Sequence, residues 1–421
     1  MQPLRERLYA ALRWSEKYTK TDMVYLFRGS FWSTVAQIGT AACTFALAII
    51  VSRYVPKEVY GTYKYVFALV GVLSTFSLTG LPTAVFQSVA AGFDGALHEG
   101  FWKNIRWSVL IFIASPVVAG YYFVLHNPTL AFGILIAGCL SPFLTSANLA
   151  GSFLGGKKDF YRQSLYFGLW GSGIPIVALI GAIFVSTNPL WLVIVFCVAN
   201  TASSLYFYKR TLEVYHPDPA KKDPGMMTYG KHLSLLGVLG GIAGNLDQIL
   251  LFHYVGAAEL AIYNFATAIL DQTGGPLKTV TNMITSKYAT HTDKNIRENI
   301  WNKVWWLFLL GAVIAAVYIP LAPFIYAFLF PAYVDAVPYS QIYALSILSV
   351  VFSPFGAYLT AKKKIKEQYI GSIFNYCLQI AVMAVAVIGW GLWGLIIARV
   401  LLRTFGSLPT LILYRSAIGH E

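Results

Sequence analysis

Charged residues are scarce in this chain, and their scarcity excludes an ordinary soluble fold. Asp, Glu, Lys and Arg make up 12% of the 421 residues, whereas 57% are hydrophobic. Soluble domains carry about 25% charged residues. Apolar runs of roughly 20 residues, long enough to cross a bilayer, recur from one end of the sequence to the other. We therefore expect an all-α protein that crosses a membrane many times.

Cysteine is also scarce, which excludes a disulfide framework and a thiolate metal centre. The four cysteines all fall within apolar runs, at Cys43, Cys139, Cys197 and Cys377. None has the CxxC spacing that is typical of redox and zinc sites. We expect four buried thiols, no disulfide and no metal site.

Acidic residues are few, 18 against 31 lysines and arginines, and the net charge is +13. If the N-terminus is cytoplasmic, 25 of these 31 basic residues fall in cytoplasmic segments. Only Arg53, Lys57 and Lys64 fall in outer loops. This asymmetry sets orientation and predicts that both termini are cytoplasmic. The basic excess then faces anionic lipid, and nucleic acid is not needed to explain it.

The apolar runs predict about twelve transmembrane helices. Their expected bounds are 30–52, 65–89, 107–125, 130–153, 164–185, 190–208, 233–255, 262–286, 304–327, 339–359, 369–388 and 392–414. They divide into an N-terminal six-helix lobe (30–208) and a C-terminal one (232–421), joined by a cytoplasmic linker (209–231). Residues 1–29 are basic with leucines at helical spacing, which fits either an amphipathic helix on the inner leaflet or a solvated tail.

The two predicted lobes repeat each other in sequence. "YVPKEVYGTY" at 54–63 matches "YVGAAELAIY" at 254–263, an offset of 200. Trp102 and Trp107 match Trp301 and Trp306 at an offset of 199. Each predicted lobe has six spans, an even number, so both lobes enter the membrane from the same side. We therefore expect a pseudo-two-fold axis along the membrane normal.

Five ionisable residues lie well inside predicted spans: Asp247, Asp271, Lys278, Arg399 and Arg403. Each costs about 2.5–3.5 kcal/mol at mid-bilayer, so such residues face a cavity or a partner. Counted from the outer span ends, the aspartates and Arg399 lie at a similar depth, about 10–14 Å. We interpret them as lining a water-filled lumen. Structural ion pairs between spans remain the alternative, including an arginine partner for Asp247.

Two segments of the sequence resemble a known transporter group. "SRYVPKEVYGTYKY" (52–65) follows a first span with a polar stripe that includes Gln37, and "YVGAAELAIYNFATAI" (254–269) follows the span that carries Asp247. Both are similar to the polysaccharide-transport branch, which includes O-antigen flippases, of the multidrug/oligosaccharidyl-lipid/polysaccharide exporter superfamily. The resemblance implies two alternating lobes in a bacterial inner membrane. It also implies a cargo, an undecaprenyl-pyrophosphate-linked oligosaccharide, and a surrounding polysaccharide polymerase machinery.

The resemblance suggests roles for particular residues. Arginine forks bind phosphate in a bidentate manner, and we expect the cargo to meet these residues in the lumen or at its mouth: Arg399, Arg403, Lys278, Asp271, Arg53 and Gln37. Related lipid II flippases hold sodium with an aspartate of span 7 and polar residues of span 11. Asp247, Asn375 and Gln379 match that pattern, except that Gln379 replaces a carboxylate. Coupling to Na⁺ or H⁺ is therefore expected, with no other cofactor.

Two other functional classes compete with this interpretation. A multidrug or small-molecule cation antiporter shares the superfamily fold, but its lumen should be dominated by acids. A glycan-processing enzyme needs a large outer loop or an exposed acidic motif. The outer loops are short, and their acids are only Glu58, Glu259 and Asp335. We therefore expect a secondary transporter and not an enzyme.

Overall fold

The computed structural model describes residues 23–272, 281, 283–285, 287–288, 293–362, 365–406 and 408–419. Within these ranges the chain is helical between short turns and contains no β-strand. The all-α class predicted from the apolar runs is therefore confirmed. Residues 1–22 of the basic segment predicted at 1–29 lie outside the described residues. The first described helix begins at Met23.

The helices are numbered in chain order over the described residues. Their bounds are α1 Met23–Tyr54, α2 Lys57–Ser74, α3 Leu81–Ala90, α4 Ala96–Trp107, α5 Val109–Val124, α6 Pro128–Ala147, α7 Leu149–Gly156, α8 Phe160–Gln163, α9 Gly171–Val185, α10 Pro189–Tyr215, α11 Met226–Tyr254, α12 Ala257–Asp271, α13 Asp293–Leu329, α14 Val337–Ala344, α15 Ser353–Ala361, α16 Ile365–Phe405 and α17 Leu408–Gly419. A π-helical segment, Ser164–Trp170, joins α8 to α9, and two 3₁₀ segments, Pro331–Ala336 and Leu345–Phe352, flank α14.

Nine segments of the described chain are long and apolar enough to cross a membrane. They are Phe31–Tyr54, Ala96–Val124, Pro128–Gly156, Phe160–Val185, Pro189–Tyr215, Met226–Tyr254, Ile296–Leu329, Pro331–Ala361 and Gln368–Tyr414. The protein is therefore a multi-pass membrane protein. Four predicted spans account for the difference between twelve and nine. The span 65–89 is divided between α2 and α3, 262–286 runs past the end of α12, and 369–388 and 392–414 share one segment. The twelve-span arrangement and its axis stay predictions.

Two glycines allow sharp turns that other residues would resist. Gly391 has φ 58° and ψ −136° within α16, between the two spans predicted there. Gly256 has φ 126° and ψ 176° between α11 and α12. Backbone with positive φ and strongly extended ψ is accessible almost only to glycine, since a Cβ atom would clash there. These positions therefore mark genuine breaks between helices.

The helix ends follow the sequence repeat. α1 ends at Tyr54 and α2 begins at Lys57, while α11 ends at Tyr254 and α12 begins at Ala257. Two pairs of consecutive helices, each joined by a short turn, therefore lie 200 residues apart, the same offset that separates "YVPKEVYGTY" from "YVGAAELAIY".

The chain forms two compact units. The first contains the described residues up to Leu47 together with Leu73–Gly237, and the second contains Ala48–Val72 together with the described residues from Val238 onward. The predicted lobes place 48–72 in the first half instead. Within the second unit, Tyr65 stacks on Phe252 with ring centroids 3.7 Å apart. Such packing joins residues that are distant in sequence, so the sequence alone does not reveal it.

The predicted linker, 209–231, is mostly helical. Only residues 216–225 lie between α10 and α11. This short connection belongs to the first unit, where Ser88 Oγ donates to Asp223 Oδ2 at 2.5 Å. The backbone N–H of Gly95 also donates to the carbonyl of Lys221 at 3.0 Å. The connection is therefore hydrogen-bonded to the first unit at Lys221 and Asp223.

A polar cluster in the first unit surrounds Asp159, which precedes α8. Tyr215 donates its hydroxyl to Asp159 Oδ2 at 2.5 Å, and Arg162 donates to the same oxygen at 2.6 Å. Burial raises the pKa of Asp159, but these hydrogen bonds and the Arg162 charge outweigh it and lower the pKa below its usual value. The charged carboxylate is therefore the form that the fold stabilises.

The cysteines are less buried than expected. Cys197 is buried, Cys43 and Cys139 are partly exposed, and Cys377 is exposed. The expectation of four buried thiols was wrong because membrane spans also show apolar faces to lipid, so an apolar run does not imply burial within the protein. All four thiols are free.

Candidate functional site

Two arginines of α16 organise the polar interior of the second unit. Arg399 and Arg403 are four residues apart and therefore lie on one face of the helix. Each contacts an aspartate and a tyrosine that other helices supply. The result is two Asp–Arg–Tyr groups, about 6 Å apart along the helix axis. We call them the buried group and the open group.

The buried group consists of Asp247 of α11, Tyr263 of α12 and Arg399. Arg399 Nη1 lies 2.5 Å from Asp247 Oδ2. The Tyr263 hydroxyl donates to the same oxygen and accepts a hydrogen bond from Arg399. The Asp247 residue is 0% exposed, and its Oδ1 has no hydrogen-bond partner among the described residues. Asp247 is thus neutralised by an arginine, which is the structural alternative that the sequence left open.

The open group consists of Asp271 at the end of α12, Tyr343 of α14 and Arg403. Arg403 Nη2 and the Tyr343 hydroxyl each lie 2.8 Å from Asp271 Oδ1. The Arg403 guanidinium also covers the Tyr343 ring at 4.9 Å. The Arg403 and Asp271 side chains are 38% and 40% exposed. Because solvent screens such a pair, it contributes about 0–1 kcal/mol and can exchange partners readily.

The open group faces a cavity of about 590 Å³ in the second unit. Ligand sites typically measure about 300–1,000 Å³. Within the described part of the chain, the charged residues that line it are Asp271, Arg399 and Arg403. Uncharged polar side chains supply much of the remaining wall: Thr281, Ser346, Ser349, Ser353, Asn375, Gln379 and Thr410. The cavity therefore offers two cations, one anion and many hydrogen-bonding groups.

A 3₁₀ segment places serines that the sequence analysis missed. In Leu345–Phe352, three residues complete one turn, so Ser346, Ser349 and Phe352 fall on one face, and all three line the cavity. Their three-residue spacing is a signal that could have been noticed. Tyr343 carries no such signal, since the chain contains 27 tyrosines.

The residues expected to couple an ion are divided between two places. Asn375 and Gln379 line the cavity, and Gln379 Nε2 donates to the Ala243 carbonyl at 3.0 Å. Asp247 faces Arg399 instead. No group of three or more His, Cys, Asp or Glu suited to a metal occurs among the described residues. A resident cation at Asp247 does not fit this arrangement, because the guanidinium already neutralises the carboxylate.

Two predicted substrate residues, Gln37 and Arg53, are not among those that line this cavity, and a third lies outside the described residues. Gln37 is exposed on the part of α1 that belongs to the first unit. Arg53 is exposed in the second unit, and its Nη2 donates to the Phe328 carbonyl at 3.4 Å. Lys278 lies outside the described residues. The structure thus brings together Asp271, Asn375, Gln379 and the two arginines.

Comparison with known proteins assigns the family. Residues 26–272 match the family described as "Polysaccharide biosynthesis protein", which is more than half of the chain. The chain belongs to the polysaccharide biosynthesis protein family. Over 282 residues this family member is 26% identical to the teichuronic acid biosynthesis protein TuaB of Bacillus subtilis (strain 168). That alignment covers 62% of this chain and 56% of TuaB, so the chain spans little more than half of this curated relative.

Solved structures give the fold of this polysaccharide biosynthesis protein. It is similar to an inward-facing multidrug resistance MATE transporter of the MOP superfamily, with a TM-score of 0.74, 16% identity, and coverage of 90% of this chain and 95% of that one. It is also similar to the lipid II flippase MurJ in an inward closed conformation, with a TM-score of 0.70, 14% identity, and coverage of 92% and 87%. At these identities the similarity shows the fold alone. The resemblance inferred from "SRYVPKEVYGTYKY" is confirmed.

Proposed function

We propose that this protein is a flippase that moves a polyprenyl-pyrophosphate-linked oligosaccharide from the inner to the outer leaflet for surface polysaccharide synthesis. The family match and the MOP superfamily fold support a transporter of polysaccharide precursors. We place it in a bacterial inner membrane with both termini in the cytoplasm, where cytoplasmic glycan assembly supplies the cargo and a polymerase machinery receives it.

One observation carries the cargo assignment: Arg399 and Arg403 both line a cavity whose wall is otherwise rich in hydroxyls and amides. A pyrophosphate presents several anionic oxygens, and guanidinium groups match them with paired hydrogen bonds. The serine, threonine and amide side chains suit sugar hydroxyls, which both donate and accept hydrogen bonds. The arrangement therefore fits an anionic head and a sugar chain together.

The same cavity argues against the cation antiporter. A cationic drug needs a site where acids outnumber bases. Among the described residues of the lining, one carboxylate, that of Asp271, lies beside two arginines. The fold does not distinguish the two functions, because it is similar to a multidrug transporter and to a lipid II flippase alike. The charge balance of the cavity favours the anionic cargo.

We propose that Asp247 couples transport to an ion gradient through its pair with Arg399. A proton on Asp247 would remove the negative charge that holds the guanidinium and would release Arg399 toward the cavity that it already lines. Protonation would thus change the charge of the cavity without a resident metal. If transport requires a Na⁺ gradient and proceeds with the same pH on both sides of the membrane, that result would contradict this step.

The cargo assignment is tested with the full-length protein in liposomes that carry a fluorescent undecaprenyl-pyrophosphate disaccharide. Flipping is measured as accessibility to a quencher on one side of the membrane. Losing a hydrogen-bonded charge costs about 1.5–3 kcal/mol, so Arg403→Ala should slow flipping by about 10- to 150-fold. Arg403→Lys keeps the charge but not the fork and should recover only part of the rate.

Arg210→Ala is the matched control. Arg210 is a half-exposed arginine of α10 that pairs with Glu213 and is not among the residues that line the cavity. Its loss should leave flipping unchanged. A cationic dye loaded into the same liposomes tests the antiporter. Dye export that survives in Arg403→Ala, together with an unchanged flipping rate, would overturn the proposed cargo.

A further inference from the structure

The span Phe160–Val185 contains a wide helical turn between α8 and α9. Residues Ser164–Trp170 form a π-helix, and the backbone N–H of Gly171 donates to the carbonyl of Tyr166, five residues earlier. In an α-helix this hydrogen bond reaches only four residues back, so the π-helix holds one extra residue. π-helices are rare in proteins and occur frequently at functional sites. This π-helix lies in the first unit, within a membrane span.

The sequence around the π-helix weakens the span further. Gly168, Gly171 and Gly173 fall within six residues, and glycine is a poor helix former. Pro175 lies inside α9. Its ring has no N–H for the carbonyl four residues earlier, that of Gly171. Because π turns and prolines are the usual causes of helix kinks, residues 164–175 are the part of this span where the bend can change most easily.

α1 packs on the π-helix through small side chains. Thr40 Oγ1 donates to the carbonyl of Gly168 at 3.0 Å, and Ser33 Oγ lies 3.3 Å from Ser164 Oγ. A Cβ atom on Gly168 would lie 2.9 Å from Ala36 Cβ, well inside the optimal carbon–carbon separation of about 3.5–4.0 Å. Ser33, Ala36 and Thr40 are three and four residues apart and therefore share one face of α1. That face meets the π-helix closely, and a hydroxyl holds one of its carbonyls.

We propose that the π-helix is a hinge, and that its extra residue moves along the span during transport. The residues that it passes would rotate by about 100°, the angle of one residue in an α-helix. Gly168 would turn away from α1, so the Thr40 hydrogen bond must break at each movement. In the new register the Gly168 carbonyl accepts from the N–H of Ser172, four residues ahead. Thr40 is therefore a positioning residue that holds the hinge in the π form.

The role of the hinge rests on the proposed flippase function, because moving a cargo requires the protein to change its conformation. α1 connects the hinge with the cargo: Gln37, a predicted substrate residue, lies on α1 between Ala36 and Thr40 and is exposed. When the contact with the π-helix breaks, α1 is released to shift, and Gln37 shifts with it. Thr40 thus controls the position of a residue that is expected to meet the cargo.

The first measurement uses the full-length protein in nanodiscs without cargo. The native cysteines are replaced by alanine, and spin labels are attached at Val117→Cys and Ile174→Cys, exposed positions of α5 and α9. Ile174 lies between the π-helix and Pro175, so its label rotates with the hinge. Pulsed electron paramagnetic resonance should give two label distances, one for each register. Deletion of Leu165, within the π-helix, removes the extra residue and should leave one distance.

Variants of Thr40 test its hydrogen bond. A neutral hydrogen bond contributes about fivefold to an equilibrium, so Thr40→Val should enlarge the population of the second register about fivefold. Thr40→Ser keeps the hydroxyl and should not. Thr44→Val is the matched control, because the Thr44 hydroxyl donates to the carbonyl of Thr40 within the same helix at 2.9 Å. A single distance in both the unaltered protein and Thr40→Val would overturn the hinge, as would equal populations in Thr40→Val and Thr44→Val.

The second measurement is flipping of the fluorescent undecaprenyl-pyrophosphate disaccharide in liposomes. Deletion of Leu165 should keep or raise the melting temperature, because the span becomes a regular α-helix there, but flipping should be lost. Flipping at the unaltered rate would overturn the proposal. If the deletion variant does not fold, unchanged flipping in Thr40→Val overturns the role in transport instead. An unaltered protein that flips no carrier would contradict the proposed function, and the label distances would then decide the hinge alone.

Discussion

The pair between Asp247 and Arg399 predicts an asymmetry between two single substitutions. Arg399→Leu leaves the Asp247 carboxylate without its cation in a place that is 0% exposed. Breaking a buried pair in this way costs about 3–5 kcal/mol. Asp247→Asn leaves Arg399 unpaired instead, but the Arg399 side chain is 19% exposed and lines a cavity. Water can hydrate that guanidinium, so we expect a smaller cost of about 1–3 kcal/mol.

The double variant sharpens this prediction. Asp247→Asn with Arg399→Leu removes both charges, so its cost should lie below that of Arg399→Leu alone. Arg403→Leu is the matched control, since it removes an arginine one turn away whose partner, Asp271, is 40% exposed. That exposed pair should contribute less than about 1 kcal/mol. The expected order of destabilisation is therefore Arg399→Leu, then the double variant, then Arg403→Leu.

The assay is reversible unfolding of the purified protein in mixed micelles, followed by helical circular dichroism as denaturing detergent is added. The four variants and the unaltered protein are compared at one pH and one lipid content. Two results would contradict this reasoning: Asp247→Asn destabilising the protein as much as Arg399→Leu, or a double variant whose cost equals the sum of the two single costs. Either would show that the unpaired Asp247 carboxylate is not the cause of the larger destabilisation. The buried group would then have a different energetic basis.

Three further predictions concern other parts of the molecule. Asp271→Asn removes the carboxylate that competes with the cargo for Arg403. That ion pair contributes about 1 kcal/mol, so undecaprenyl pyrophosphate should bind about fivefold more tightly in a fluorescence titration. Weaker binding would show that Asp271 helps to bind the cargo. The pKa of Asp159 is lowered in the folded state, so its contribution to stability is present above its unfolded pKa of about 4 and is lost as pH falls through the lower folded value. The unaltered protein should therefore melt at a higher temperature than Asp159→Asn at pH 7, and the difference between their melting temperatures should be smaller at pH 3. An equal difference at both pH values would refute this. Gly391→Ala should destabilise by about 1–3 kcal/mol because of its positive φ, whereas Gly389→Ala, with open space around its Cβ position, should not; equal melting temperatures would contradict the break at Gly391.

The sequence anticipated part of the site because buried charge in a membrane span is costly whatever the fold. That cost singled out Asp247, Asp271, Arg399 and Arg403 before any contact was known, and helical spacing placed the two arginines on one face. The pairing did not follow from the sequence. Counting residues from the outer ends of the spans places the acidic and basic side chains at a similar depth in the membrane. Several acid–base pairings are possible at that depth, and the packing of α11, α12 and α16 selects two of them.

Other site residues were out of reach for a related reason. Tyr263 and Tyr343 complete the two Asp–Arg–Tyr groups, yet nothing local separates them from the other tyrosines of the chain. Ser346 and Ser349 share one face of their 3₁₀ segment and line the cavity. Their three-residue spacing predicts a shared face, but it does not say which cavity that face meets. Gln37 and Arg53 met the chemical expectation for the cargo, but chemistry alone does not assign a side chain to one cavity.

The sequence by itself determined that the protein is helical, crosses a membrane many times, repeats itself at about 200 residues and belongs to the polysaccharide biosynthesis protein family. These properties follow from composition, hydropathy and local motifs, which act along the chain. The tertiary structure decided the partners of Asp247 and Asp271 and the grouping of residues 48–72 with the second unit. These properties depend on contacts between residues far apart in sequence, where many arrangements have similar local energies and only close packing selects one.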